Sequence, residues 1–277
     1  MVLAAVPAVA EPLPGYRYGG GEARMFVQQN DKVVPVPAAR WFASQKLTWL
    51  DRVEPSVTYS MSRLPKKLEA ARIAKQEARA DRSLTRKLDA APGDDRFAAL
   101  LRAQLESPEA RLFASSLETR KVPQILNELS PSERRWLYAG GIARRQTAPV
   151  YVAHIDAVVG KGLFARGPIR AGQAIGEYTG RLENGEEGAS ENGYLFNVSN
   201  LGVIDGAKEG GVMRFANHSR DRANAMHLEV TLHGVPHVVL VALTPIEPGT
   251  QILYDYGPHY WSKGKKAVAL GTAKESR

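Results

Sequence analysis

Hydrophobic and polar residues are arranged differently in the two halves of the chain. After Pro149, short apolar runs rich in β-branched and aromatic residues recur between Gly, Asn and Asp, a pattern typical of strands separated by turns. The predicted strands are residues 151–155, 194–198, 228–232, 237–241 and 251–256. The segment between the third and fourth runs, His233-Gly234-Val235-Pro236, predicts a hairpin. The second half is therefore predicted to be mostly β.

Residues 40–147 carry signals typical of helices instead. Ser130 and Pro131, followed by Glu133, form a capping-box start, and Gly140-Gly141 predicts the end of that helix. Ser107-Pro108-Glu109 predicts a second helix start. The first half is therefore predicted to be helical.

The stretch from Arg63 to Lys87 is the most regular helical pattern. An apolar stripe is predicted at Leu64, Leu68, Ala71, Ala74 and Ala78. Cations recur at steps of three and four residues and share one helical face; they are Arg72, Lys75, Arg79, Arg82 and Arg86. Such a face fits contact with DNA phosphates or an acidic protein surface, and it equally fits a solvated helix surface.

Composition and charge narrow the class of protein. The 277 residues suffice for two domains, and no apolar stretch is long enough for a transmembrane helix. The net charge of +8 lies in residues 1–150, with 24 cations and 16 anions, whereas residues 151–277 have 13 of each. Classical secretion is not expected, because no Lys or Arg precedes Arg17 and Pro7 interrupts the apolar N-terminus.

The absence of Cys excludes disulfides, thiolate zinc sites and a cysteine nucleophile. His233 and His237 are four residues apart on a predicted hairpin without a neighbouring third ligand, so no metal site is predicted. A Gly-x-Ser-x-Gly hydrolase turn is absent too. Four other clusters of the second half remain as candidates for chemistry: residues 160–165, predicted as a glycine-bracketed turn, and residues 177–180, 214–219 and 253–257.

Taken in order, these clusters resemble the SET-domain protein lysine methyltransferases. The family carries a glycine-containing turn, Tyr-x-Gly, Arg-Phe/Leu-x-Asn-His-Ser and a final Tyr/Phe-Asp-Tyr. The run from Gly234 to Gly257 is similar to the histone H4 monomethyltransferase branch. Because flanking Cys clusters are absent, the resemblance is to zinc-free members, and high Ala, Arg and Gly usage suggests a bacterial type. The family often has Cys-x-Pro-Asn after Asn-His-Ser, of which only Asn224 remains.

The resemblance implies an α+β protein: a helical N-terminal region, then a β-rich SET domain whose C-terminal segment forms a pseudoknot. We predict a flexible leader (1–39), a basic helical domain (40–147), the SET domain (148–262) and a basic tail (263–277). The implied cofactor is S-adenosylmethionine. Channel tyrosines would be Tyr256, Tyr178 and Tyr254, and a Tyr at position 254 resembles enzymes that add one methyl. Donor contacts would come from Lys161, Gly162, Leu163, Tyr194, Asn217, His218 and Trp261. Tyr260 and Trp261 would close the channel, or would equally form a simple hydrophobic plug.

The predicted function is methyl transfer to a lysine of a basic protein, a histone or histone-like tail. Four acids between Gly180 and Tyr194 suit such a substrate and equally fit a solvated acidic loop; they are Glu183, Glu186, Glu187 and Glu191. Two alternatives are a non-catalytic SET-like chromatin or nucleic-acid adaptor and a methyltransferase for a non-histone protein. The protein would act in the bacterial cytoplasm or as an effector delivered to a host nucleus.

Overall fold

The computed structural model describes residues 23–89, 122–185, 193–198, 201–257 and 260. The helices of these residues are α1 (Ala38–Ser44), α2 (Val57–Ser62), α3 (Lys67–Asp89), α4 (Val122–Glu128), α5 (Pro131–Ala143) and a 3₁₀ helix (Val212–Phe215). The first strands are β1 (Arg24–Gln29), β2 (Lys32–Pro37), β3 (Thr48–Trp49), β4 (Glu54–Pro55), β5 (Val150–Asp156), β6 (Gly160–Ala165), β7 (Ala174–Tyr178) and β8 (Arg181–Glu183). The others are β9 (Leu195–Val198), β10 (Gly202–Asp205), β11 (Glu209–Gly210), β12 (Asn217–His218), β13 (Ala225–Leu232), β14 (Val235–Ala242) and β15 (Leu253–Tyr254).

The strands form four small sheets, so the fold is β-rich with few helices. Their orders are β2-β1-β5-β6, β4-β8-β10-β9, β11-β3 and β12-β15-β13-β14-β7. Strands β5, β9, β13 and β14 lie where the short apolar runs predict strands. The β13–β14 hairpin turns at His233-Gly234, where φ is 53° and 81°. A two-residue turn with both φ values positive matches the twist of a hairpin.

Residues 160–165 form strand β6, so the prediction of a turn there is wrong. β6 pairs antiparallel with β5 from Val150↔Ala165 to Asp156↔Gly160. On its other side, Ile252 N–H donates to the Leu163 carbonyl at 2.8 Å. Glycine favours a turn when the backbone around it has no strand partner. Here the backbone of residues 160–165 forms hydrogen bonds on both sides, so the segment is a strand.

The predicted leader is partly structured, because residues 24–37 form the β1–β2 hairpin. Met25 and Val27 are buried and alternate with exposed Arg24 and Gln28, the period expected of a half-buried strand. β1 also pairs in parallel with β5 at Val27↔Val152. This hairpin is therefore part of the β-rich structure and not a separate leader.

The segment that follows the hairpin shares its core with the second half of the chain. Phe42 of α1 is fully buried, and its ring centroid lies 4.9 Å from that of Trp49 and 6.1 Å from that of Phe215. β3 pairs with β11 and β4 pairs with β8. Residues 40–147 thus contain strands as well as helices, contrary to the all-helical prediction, and the core does not divide near residue 148.

Helix α5 begins as predicted and ends later than predicted. Ser130 accepts the Glu133 backbone N–H at 3.3 Å, and the Glu133 carboxylate accepts the Ser130 N–H at 2.7 Å. The helix continues through Gly140-Gly141 to Ala143. Buried Tyr138 and Ile142 pack in one cluster with residues of β13 and β14. That burial outweighs the cost of about 1 kcal/mol per helical glycine. The predicted start at Ser107 lies outside the described residues.

The side of α3 that packs against the protein is not the side of the predicted apolar stripe. Leu68 is 88% exposed, and Ala71 and Ala78 are exposed too. The helix is anchored instead by acids: Asp81 pairs with Arg135 of α5 at 2.8 Å, and Glu77 pairs with His233 at 3.0 Å. Alanine buries too little surface to compete with these contacts. No helix in the described part of the chain is long and apolar enough to cross a membrane.

The C-terminal strand lies inside its sheet. β15 runs between β12 and β13 and is parallel to both. The Asn224 side chain makes two hydrogen bonds to this C-terminal segment. Its Nδ2 donates to the Gln251 carbonyl at 2.8 Å, and its Oδ1 accepts the Leu253 N–H at 3.0 Å. The predicted pseudoknot requires such an insertion; the threading itself stays a prediction.

Replacing the Asn224 side chain is expected to destabilise the fold. Asn224→Ala removes two hydrogen bonds and leaves their backbone partners unsatisfied, which predicts a loss of about 2–4 kcal/mol in the free energy of unfolding. Urea denaturation measures it. The matched control is Asn197→Ala, an exposed asparagine of β9, for which a change below about 0.5 kcal/mol is expected. Equal losses in both variants would contradict the role of Asn224.

Candidate active site

The candidate site begins where two sequence clusters meet. Asn217 of β12 donates through Nδ2 to the Lys161 carbonyl of β6 at 3.1 Å. Gly162 beside it is buried, and an added Cβ would lie 2.6 Å from Ile155 Cδ1 and 2.9 Å from Gln251 Nε2. A larger residue would push these side chains apart, so the close packing of β6 requires glycine here. The structure therefore brings Lys161, Gly162 and Asn217 together.

His218 links this contact to the C-terminal tyrosines. The Tyr256 N–H donates to His218 Nδ1 at 3.1 Å, and the two ring centroids are 5.2 Å apart. A ring nitrogen that accepts a hydrogen bond is unprotonated. Burial lowers the pKa of His218 and outweighs the Asp255 carboxylate 3.6 Å away, which acts in the opposite direction. The bond assigns the ring proton to Nε2 at neutral pH.

Aromatic rings continue from His218 in an unbroken series. Tyr256 lies 4.7 Å from both Tyr254 and Tyr260, measured between ring centroids. His227 lies 6.4 Å from Tyr254 and 4.9 Å from Phe196. Phe196 lies 5.5 Å from Tyr178, which closes the series. The three predicted channel tyrosines are thus in one aromatic cluster, defined as Tyr178, Phe196, His227, Tyr254, Tyr256 and Tyr260.

The phenol groups of this cluster are neutral. Burial is the largest cause that raises the pKa of Tyr178, Tyr254 and Tyr256 above the ordinary value of 10.0. Two hydroxyl protons are committed to backbone carbonyls: Tyr178 donates to Tyr194 O at 2.7 Å and Tyr256 donates to Ala216 O at 2.8 Å. These oxygens can still accept hydrogen bonds, because a phenol oxygen keeps its lone pairs.

Comparison with known proteins assigns this part of the chain. Residues 160–257 match the family model "SET domain". The chain contains a SET domain. The match begins at the first residue of β6 and ends after Tyr256, so it includes the Asn217–Lys161 contact and every member of the aromatic cluster except Tyr260.

The SET domain is homologous to histone-lysine methyltransferases. Over 133 residues the chain is 32% identical to Histone-lysine N-methyltransferase MEDEA of Arabidopsis thaliana, covering 43% of this chain and 19% of that protein. Over 110 residues it is 31% identical to human Histone-lysine N-methyltransferase 2B, covering 36% of this chain and 4% of that protein. The chain therefore spans a fifth or less of the length of these two relatives.

Solved structures with partial similarity include Arabidopsis thaliana SUVH6 in complex with SAM. The alignment has 28% identity and a TM-score of 0.36 and covers 40% of this chain and 27% of that one. The polycomb repressive complex 2 of Chaetomium thermophilum aligns with 24% identity and a TM-score of 0.40, over 46% of this chain and 17% of that one.

Tyr194 lies beside the aromatic cluster of the SET domain. It accepts the Tyr178 hydroxyl through its carbonyl, and the Arg214 guanidinium carbon lies 4.2 Å from its ring centroid. Arg214 is buried and donates through Nη2 to the Ala207 carbonyl at 3.1 Å. Arg214 therefore holds the Tyr194 ring by a cation–π contact. The predicted contact of Tyr194 with a donor stays a prediction.

The structure describes only some of the remaining predicted site residues. Leu163 is fully buried, and its carbonyl accepts the N–H of Ile252, the residue before β15. Trp261 lies outside the described residues, as do three of the four acids between Gly180 and Tyr194; Glu183 is exposed at the end of β8. Tyr260 donates to the Gly193 carbonyl at 3.4 Å, which joins the C-terminal segment to the loop before β9.

Sequence reasoning missed Phe196 and His227. Phe196 is two residues from Tyr194, so strand alternation alone could have placed both on one face. His227 lies one residue before the predicted strand 228–232, and only the fold brings its ring between Phe196 and Tyr254. No three His, Asp or Glu side chains of the described ranges lie close enough together to hold a metal ion.

The pKa of His227 predicts a pH dependence of stability. Burial lowers this pKa and outweighs the Glu229 and Asp255 carboxylates, which raise it. Below about pH 6.5 the unfolded chain therefore binds a proton that folded His227 does not, and stability is lost as pH falls. We expect a smaller loss of unfolding free energy between pH 7.5 and 5.5 in His227→Gln than in the wild type, measured by urea denaturation. An identical pH dependence would contradict this assignment.

Proposed function

We propose that the SET domain transfers a methyl group from S-adenosylmethionine to a lysine side chain of a basic protein. The observation that carries this proposal is the series of aromatic rings with neutral phenols that starts at His218, the residue after Asn217. The homologous relatives are named as histone-lysine methyltransferases, and their SET domains support the same activity here.

The residues at the Asn217–Lys161 contact fit S-adenosylmethionine. Asn217 uses its Nδ2 for the Lys161 carbonyl, whereas its Oδ1 has no partner among the described residues and can accept an ammonium N–H of the donor. When bound, the donor would supply the electrophilic methyl of its sulfonium. Asn217 and His218 would orient its polar groups, with the backbone of Lys161 and Gly162 beside them.

The aromatic cluster can make the substrate amine reactive. A free lysine has a pKa near 10.4, so removing its proton at pH 7 costs about 4–5 kcal/mol. A desolvated channel and a nearby cation both disfavour the ammonium form and reduce this cost. Rings such as Tyr178 and Tyr254, each about 95% buried, provide such a desolvated wall. A carboxylate base is not needed for this step.

The committed hydroxyls of the cluster can also orient the amine. Because Tyr178 and Tyr256 donate their protons to carbonyls, their oxygens would meet the substrate amine as acceptors only. They would take the amine N–H groups and leave the nitrogen lone pair free to point along the channel. Holding a nucleophile in line contributes several kcal/mol to a displacement.

Tyr254 supports transfer of a single methyl. Its hydroxyl has no hydrogen-bond partner among the described residues, although its ring is buried. Such a hydroxyl can hold a water in the space that a second methyl on the amine would need. The proposed product is therefore a monomethylated lysine.

The proposed substrate is a histone or histone-like tail. Glu183 is exposed at the end of β8, beside the acidic stretch that follows it in the sequence. Carboxylates at the rim of a binding groove favour a basic peptide by charge complementarity. The names of the relatives support the same substrate class.

Removing the Tyr256 hydroxyl is expected to stop methyl transfer. Tyr256→Phe loses both the acceptor and the bond that fixes the ring, which predicts a fall in kcat of about 100-fold or more. The measurement is radiolabelled methyl transfer to core histones and to a bacterial lysate. The control is Tyr151→Phe, a ring that stacks on Phe164 in another sheet and should leave kcat unchanged. Full activity of Tyr256→Phe would contradict the proposal.

Calorimetry separates the enzyme from a non-catalytic adaptor. The wild type and Tyr256→Phe should bind S-adenosylmethionine with similar affinity, because Asn217 and His218 are unchanged. Absence of donor binding in the wild type would contradict the proposed function and favour the adaptor.

Replacing Tyr254 by Phe is expected to change the product. Tyr254→Phe removes the hydroxyl that would hold the water, so the channel gains room for a second methyl. Intact-mass spectrometry of the methylated substrate should show dimethyl-lysine in the variant and monomethyl-lysine in the wild type. A product distribution that stays monomethyl would rule out this role of Tyr254.

A further inference from the structure

Two acids and five cations of helix α3 lie on opposite sides of the helix. Glu77 accepts the His233 N–H at 3.1 Å and pairs with the His233 ring, and Asp81 pairs with Arg135. Ile73 and Leu84 are half-buried on this same inward side. At 100° per residue these four side chains lie within about 80° of one another. The inward side thus binds α3 to His233 and to Arg135 of α5 through two acids of the helix.

The opposite side of α3 is cationic and exposed. We define the α3 cation face as Arg72, Lys75, Arg79, Arg82 and Arg86. These side chains also fall within about 80° of one another, centred about 180° from Glu77. All five are exposed, and none has a hydrogen bond or ion pair with another described residue. Arg79, Arg82 and Arg86 border a surface depression of about 410 Å³.

We propose that the α3 cation face binds the phosphate backbone of duplex DNA without sequence preference. From Arg72 to Arg86 the face extends about 21 Å along the helix axis. Duplex DNA presents about one phosphate per 1.7 Å of its axis, so several phosphates lie within reach of five long side chains. Four of the five are Arg, which contacts phosphate oxygens through two parallel N–H groups.

The composition of the face favours a duplex over other acidic partners. Protein interfaces usually have an apolar or aromatic centre, and Leu68 at one end is the only large apolar residue on this side of the described helix. Single-stranded nucleic acids bind by stacking on aromatic side chains, which α3 lacks altogether. Contact by charge alone is typical of binding to the DNA backbone.

This inference is independent of the proposed methyl transfer. No member of the α3 cation face belongs to the aromatic cluster or to the Asn217–Lys161 contact. Neutralising the face should therefore leave kcat on a short peptide substrate unchanged. Loss of peptide methylation would concern the proposed function, whereas loss of DNA affinity alone would concern the face.

The test measures binding of the full chain to a fluorescent 20-base-pair duplex by anisotropy between 50 and 200 mM salt. The variant is Arg79→Gln/Arg82→Gln/Arg86→Gln. The matched control is Arg24→Gln/Lys32→Gln/Arg40→Gln, which removes the same charge from exposed positions of β1, β2 and α1. Thermal unfolding checks that both variants stay folded, as expected for exposed side chains.

We expect the α3 variant to bind at least tenfold more weakly at 100 mM salt. Its slope of log affinity against log salt should be smaller by about 2.7, since three phosphate contacts are lost. The control should change affinity by less than threefold. Equal losses in both variants, or no measurable duplex binding by the wild type, would overturn the proposal. Tighter binding to an acidic polypeptide than to the duplex would also overturn it and favour a protein partner.

Discussion

The structure depends on the insertion of β15 between β12 and β13. A strand of two residues cannot hold its place through backbone hydrogen bonds alone. Asn224 supplies two side-chain bonds to the segment, and the Ser219 N–H donates to the Tyr254 carbonyl at 3.1 Å. This attachment sets Tyr254 and Tyr256 next to His218. Without it, the aromatic cluster would lose its C-terminal members and His218 would lose its contact with Tyr256.

Local patterns predicted the parts of the fold that local interactions determine. β13 and β14 come from short apolar runs rich in β-branched residues, and their turn needs a residue that tolerates positive φ, which Gly234 supplies. The capping box of α5 is equally local. By contrast, the parallel pairing of β1 with β5 joins residues 125 positions apart, at Val27 and Val152. The alternation of Met25 and Val27 was present in the predicted leader, but nothing in it indicates the partner strand.

In the candidate site, too, the sequence indicated individual residues but not the contacts between distant strands. The order of four motifs, through the resemblance to a known family, indicated Tyr178, Asn217 and Tyr256. The contact between Asn217 and Lys161 spans 56 positions and depends on how β6 and β12 meet, which no spacing rule contains. His227 was missed for the same reason, since its place beside Phe196 follows from the pairing of strands and not from its neighbours in sequence.

The aromatic cluster and helix α3, which carry the two proposals, differ in how their polar groups are exposed to water. In the aromatic cluster, burial raises the phenol pKa values, so Tyr178 and Tyr256 are neutral dipoles that salt screens poorly. On α3 the acids are taken into contacts with His233 and Arg135, and the cations stay in water, where salt screens them strongly. Ionic strength should therefore weaken the proposed attachment to a polyanion without changing the proposed methyl transfer. Salt can separate the two proposed activities, because one depends on charges in solvent and the other on neutral groups removed from it.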